Sequence, residues 1–179
     1  GLFHEGLPLV KRDRNAAWFA EEDGAQLLIC SEIGSEGRNF QFAHHLVLFD
    51  LPLNPGLLEQ RIGRLDRIGQ TETIKVHIPY VKGSSYEFIA DWYHTGLNSI
   101  ETSLHGGTEY QDKFKARLLD LALKFNAVSL EVKGNPWTEL LEETIQFRQK
   151  LQEKLRKGRD RLLELNSLDK GTAGEIIDR

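Results

Sequence analysis

The feature that most constrains this chain is a set of short apolar runs in its first half, separated by polar, glycine-containing segments. LLIC occupies residues 27–30, LVLF residues 46–49 and KVHIPY residues 75–80. A strand half-exposed to water alternates apolar and polar side chains. A strand in a parallel sheet covered on both faces is apolar throughout, as LLIC and LVLF are. Residues Leu2 and Phe3 read as the stub of a further strand. Between the runs lie segments of helical spacing. One extends from Leu9 to Glu22 and stops at Asp23-Gly24. Another opens with Asn54 as N-cap and Pro55 as first helical residue, and reads as helix to about Arg67. This order predicts an α/β fold, an open parallel sheet with flanking helices, incomplete because its strands are so few.

From Ser84 onward the pattern is helical. Phe88, Ile89, Trp92, Tyr93 and Leu97 share one stripe, and Tyr110, Phe114, Leu118, Leu121 and Phe125 another. Asn135-Pro136 repeats the cap pair and opens a long helix running towards Asn166. Its apolar positions Trp137, Leu141, Leu151, Leu155 and Leu162 are interrupted by Arg148 and Gly158, so it reads as an amphipathic helix, not a coiled coil. The expected division is an α/β part at residues 1–83 and a helical extension at residues 84–179. The chain has no Met, and with its abrupt ends it reads as an excised piece.

Composition excludes several classes. No apolar run approaches the roughly 20 residues that span a bilayer, and GLFHEGLPLVKRDR turns charged too soon for a secretory signal. The single Cys30 excludes an internal disulfide and fits a reducing, cytoplasmic compartment. At the end of an apolar run it reads as a small core residue. A net charge of -4 gives no global footprint for nucleic acid, so any such contact must be local. His44-His45 has no Cys or carboxylate at ligand spacing, and no metal is expected. Residues 148–161 hold seven Lys/Arg against two acids and read as a solvated helix face. Trp92, Tyr93 and Tyr86 read as helix packing, not as a stacking platform for bases.

Two segments carry chemistry. SEIGSEGRNF, residues 31–40, directly follows an apolar run, where the loops of α/β sheets bind ligands. Gly34 and Gly37 allow close backbone approach, Ser31 offers a hydroxyl and Asn39 an amide. On spacing alone a glycine-containing turn capped by polar residues is the favoured reading. QRIGRLDRIGQ, residues 60–70, says more. At about 100° per residue, Leu58, Ile62 and Leu65 share a core stripe while Gln60, Arg64 and Arg67 point outward together. Two arginines and a glutamine on one face suit an anion bound by forked hydrogen bonds. The competing reading is a solvated basic face paired with Glu59 and Asp66, which leaves Gln60 and Gly63 unexplained.

SEIGSEGRNF, then HLVLFD, then LPLNP, then QRIGRLDRIGQ, resembles in order motifs V and VI of superfamily-two helicases. The ending RIGQ and the upstream NP resemble the Swi/Snf-type branch. FHEG, WFAEED, WYHTGL and KGRDRLLEL resemble a bacterial, RNA-polymerase-associated group within it. The motif match covers about residues 27–70, and the likeness to the bacterial group spans roughly residues 1–100 and KGRDRLLEL.

The resemblance implies a partial RecA-like second helicase lobe followed by an α-helical segment, in an ATPase that moves along DNA or RNA and releases or recycles RNA polymerase. It implies that Arg64 and Arg67 reach the γ-phosphate of ATP, with Gln60 supporting that geometry. Gly37 and Asn39 would lie near the nucleotide, Asn39 towards its ribose, and Ser31 would contact a nucleic-acid phosphate. ATP with Mg2+ would be held mainly by a first lobe. Two residues depart from the pattern: Leu53 replaces the tryptophan that precedes NP in eukaryotic members, and Glu36 places a negative charge in the loop. No G-x-x-x-x-G-K-[ST] phosphate loop or DExH-type carboxylate pair occurs in these residues, so the chain alone is not expected to hydrolyse ATP. A reading from another class is that residues 84–179 form a non-catalytic docking module for a protein partner.

Overall fold

Parallel strand pairing sets the frame on which everything else is mounted. The structure is a computed structural model; it describes residues 1–35, 39–104, 106–125 and 135–174, with the side chains of 34, 35 and 159–174 outside the description. Strand β1 (Leu2–Phe3) pairs in parallel with β2 (Ile29–Cys30), and β3 (His45–Val47) with β4 (Lys75–His77). The parallel sense is as expected. The strands are shorter than their apolar runs, and their hydrogen bonds form two separate pairs in place of one continuous sheet. Burial departs from expectation as well: Ile29, Val47 and Phe49 are exposed, and so is Cys30, which is therefore not a core residue. Only Leu46 and Leu48 of the LVLF run turn inward, because each strand here has a single neighbour.

The helices follow their caps. Helix α1 (Leu9–Ala20) ends where Ala25 N–H donates to Trp18 O at 3.1 Å. A Cβ at Gly24 would lie 1.7 Å from that same oxygen, so only glycine closes this turn. Helix α2 (Pro55–Ile62) starts as expected, with Asn54 Oδ1 accepting from Gly56 N–H at 2.9 Å. It stops at Ile62, one turn and more before Arg67. Helix α3 (Ser85–Asp91) is capped by the Ser84 hydroxyl, and the Glu87 carboxylate accepts from Gly83 N–H at 2.6 Å. It runs on into a single π turn, Trp92–Gly96. Helices α4 (Gly107–Leu123) and α5 (Pro136–Gly174) follow and are the last elements among the described residues.

One buried cluster joins both halves of the sequence. Leu48, Leu51 and Leu58 pack with Trp92, Tyr93, Leu97, Tyr110, Phe114, Leu118, Trp137 and Leu140. Trp92 and Tyr93 are thus core residues, as their spacing predicts. Their polar atoms are satisfied inside the cluster: Trp92 Nε1–H donates to Thr144 Oγ1 at 2.9 Å, and Tyr93 O–H donates to Pro52 O. Helix α4 meets α2 closely at Gly107, where a Cβ would stand 3.3 Å from Gly56 N and the backbones would have to part slightly. A second, aromatic cluster of Phe19, Phe40 and Phe42 lies under α1.

Ion pairs clamp α4 to α5. Glu143 bonds Arg117 at 2.6 Å and Lys113 at 3.2 Å, and Arg117 also reaches Glu139 at 3.5 Å. Lys113 first, then Arg117, holds the Glu143 carboxyl below its ordinary value. A lowered folded pKa gives stability that is present above the unfolded value and lost as pH falls through the folded one, so this clamp is complete at neutral pH.

Asn135 fulfils its expected role at the head of α5. Its Oδ1 accepts from Trp137 N–H at 3.0 Å and its carbonyl from Glu139 N–H at 3.2 Å. Replacing Asn135 with Ala is expected to cost about 1 kcal/mol. A melt of the variant, followed by far-ultraviolet dichroism, checks this: an unchanged midpoint and helicity would remove the cap assignment.

Candidate functional site

Parallel pairing of β1 and β2 delivers the residues that follow each strand to the same end. Ser31 N–H donates to Phe3 O at 3.0 Å, and the Ser31 hydroxyl donates to the carboxylate of Glu5. That bond is the main reason the Glu5 carboxyl titrates below its usual value. A hydroxyl has one hydrogen to donate, so in this state Ser31 is committed to Glu5. Gly37 and Glu36 lie outside the described residues.

Asn39 is exposed and folds back on its own loop. Its Oδ1 accepts from Gln41 N–H at 3.0 Å and its Nδ2 donates to Gln41 Oε1 at 3.1 Å. The next residue ties this loop to the arginine segment: Phe40 N–H donates to Arg64 O at 2.9 Å. Gln70 adds a second tether. Its Nε2 donates to Gln41 O at 2.9 Å, Leu65 O at 3.2 Å and Ala43 O at 3.3 Å. Gln70 was part of the RIGQ signature in the sequence, but its part in the fold shows only in the structure.

These tethers also explain why α2 ends early. In a continued helix the carbonyls of Arg64 and Leu65 would accept from amides four residues on. Here they accept from Phe40 N–H and the Gln70 side chain, and Gly63 offers little resistance to leaving the helix. Gln60 therefore stands exposed on α2, while Arg64 and Arg67 occupy the turns that follow it. Arg67 is exposed and Arg64 half-buried. Leu58 and Leu65 reach the interior as expected, at 0% and 5% exposure, although they no longer share one helix.

The residue that sequence reasoning passed over is Arg61. Its Nη1 donates to Asp50 O at 2.8 Å, and its Nη2 contacts Glu32 Oε2 at 2.5 Å and Asp50 Oδ2 at 3.1 Å. The side chain is only 14% exposed. Burial works against its charge, but the bonds to Glu32 and Asp50 prevail and raise its pKa. Glu32 opens the 3-10 turn Glu32–Ser35 after Ser31, and Asp50 follows β3. One guanidinium thus joins α2, the end of a strand and the Ser31 loop. The partners lie 29 and 11 residues away in sequence, too far for any local pattern to pair them.

Elsewhere, His45 Nδ1 lies 2.9 Å from His77 Nε2 across β3 and β4, with the rings stacked. Among the described residues, no three His, Cys, Asp or Glu side chains form a group that could hold a metal ion. Also among the described residues, no helix is long and apolar enough to cross a membrane.

The chain is similar to known proteins along nearly its whole length. The RNA polymerase-associated protein RapA of Pseudomonas putida is 55% identical over 176 residues, covering 97% of this chain and 17% of the relative. Its counterpart from Vibrio atlanticus is 49% identical over 179 residues, 99% of this chain and 18% of the relative. The chain therefore spans less than a fifth of the length of these relatives. Residues 1–69 match the helicase conserved C-terminal domain, so the α/β part is a portion of a RecA-like second lobe. Residues 73–179, more than half of the chain, match the C-terminal region of the RNA polymerase recycling family, and to that family the chain belongs.

Proposed function

We propose that this chain works as part of an ATP-dependent nucleic-acid translocase of the Swi/Snf type, one that associates with RNA polymerase in the cytoplasm and promotes its release and recycling. Residues 1–83 supply Arg64 and Arg67 as donors to the γ-phosphate of ATP, whose Mg2+ and remaining phosphates are held mainly by a first lobe. Gln60 supports that geometry, and Gly37 and Asn39 lie towards the nucleotide. Ser31 takes a phosphate of DNA or RNA, displacing Glu5 as the acceptor of its hydroxyl. Residues 84–179 form the helical extension.

The observation that carries this reading is the bond from Phe40 N–H to Arg64 O. It holds the loop of Asn39 against the arginine segment, as a shared nucleotide site requires. The names of the relatives support the polymerase partner. The chain itself is expected to release no phosphate from ATP, with or without DNA, because it holds no phosphate loop. A colorimetric phosphate assay on the purified chain checks this, and release above background would overturn the division of labour between lobes.

A second reading, a non-catalytic docking module, is favoured by the recycling-family match over residues 73–179. The two separate in one experiment on the full-length protein. If arginine variants abolish hydrolysis and polymerase release persists, docking suffices; if release stops, the motor is required.

A further inference from the structure

We infer that Arg61 is a positioning residue that couples the nucleic-acid loop to the arginine pair; the inference rests on the motor reading above. Its backbone lies in the last turn of α2, three residues before Arg64. Its guanidinium holds two other segments at once, Glu32 beside Ser31 and Asp50 beyond β3. A shift of the Ser31 loop therefore moves the end of the helix that delivers Arg64, because one planar group is bonded at both places.

The form of the link matters. Nη2 faces both carboxylates while Nη1 donates to the Asp50 carbonyl, which uses the fork of the guanidinium. A lysine ammonium is a point charge and cannot span these three acceptors. Glu32 is 48% exposed and Asp50 79%, so neither carboxylate is part of the buried core. Cutting the Glu32 arm releases the loop without opening a cavity. The guanidinium is occupied by Glu32 and Asp50, and Arg61 acts through the segments it holds.

The test uses the full-length protein with Glu32→Ala, Arg61→Lys, the double variant, and Arg64→Lys as reference. The readout is the ratio of hydrolysis at saturating DNA to hydrolysis without DNA, beside the melting curve. A structural role alone would change the melt and leave this ratio in place. Coupling between sites commonly corresponds to about 5–150-fold. We expect a loss of roughly tenfold in the ratio for each single variant, and no further loss in the double, because both remove the same link. The inference is overturned if either single variant keeps the full ratio, or if the two losses multiply. Should Arg61→Lys fail to fold, Glu32→Ala decides alone, and a retained ratio there overturns the inference. Normal turnover by Arg64→Lys would sink the motor reading itself, whereas a crippled Arg64→Lys beside intact Glu32→Ala would sink only the coupling.

Discussion

Arg64→Lys or Arg67→Lys in the full-length protein is expected to lower DNA-stimulated ATP hydrolysis by about 10³–10⁵, or roughly 4–7 kcal/mol of transition-state stabilisation. Charge on the transferring phosphoryl group is spread over its equatorial oxygens, and donors held in place before reaction stabilise it most. Arginine presents a planar fork to two such oxygens, while lysine presents one strongly hydrated charge. Both residues lie in the turns after α2, Arg67 exposed and Arg64 half-buried, and lysine keeps the charge and most of the stem at each, so the fold should survive. Arg64 is held by its backbone through the Phe40 bond, which either substitution leaves intact. Nucleotide affinity, which the proposed function assigns mainly to a first lobe, should change far less than turnover. Stimulated rate and nucleotide affinity, measured on each variant with an unchanged melting curve, decide the matter. Near-normal turnover in both would mean a solvated basic segment.

The largest stability effect is expected at Trp92. Its side chain is 1% exposed and meets Tyr93 and Phe114 edge-on. Truncating a buried tryptophan to alanine costs about 3–5 kcal/mol through lost contacts and the cavity left behind. Domains are stable by only about 5–15 kcal/mol, so Trp92→Ala should leave the chain barely folded. Thr144→Val is the sharper companion. It keeps the shape but leaves Trp92 Nε1–H without its acceptor in a buried site, at a cost of about 1–3 kcal/mol. Urea melts of both variants and of the double variant check this. If Thr144→Val melts like the parent, the indole bond contributes nothing, and its presence in the structure is incidental.

What could be read in advance follows a physical divide. Asn54-Pro55 and Asn135-Pro136 were legible because a cap is a local bargain between a side chain and an amide two residues on. The α/β character was legible in LVLF and KVHIPY for a similar reason, since strand and helix periods are local. The end of α2 was not. Leu65 keeps the helical register through Gly63, and what draws the chain away is a hydrogen bond from Phe40 and another from Gln70. Arg61 was missed for the same cause. Its meaning lies in two distant carboxylates, so nothing beside it in QRIGR distinguishes it from a solvated arginine. The exposure of Ile29, Val47 and Phe49 was unreadable because an apolar run states what a strand would bury and not how many neighbours it has.

The shared core has a mechanical consequence. The π turn of Trp92–Gly96 rests on α5 through Thr144, and the same cluster takes in Leu58 of α2. Helix α5 leaves this anchorage after Leu151, since every residue from Gln152 to Gly158 is exposed. Its 39 residues make a rod of about 58 Å, and residues 152–158 carry it about 10 Å past the core. A rotation at the anchorage is therefore carried along this stretch: about 10° displaces the backbone at Gly158 by about 2 Å.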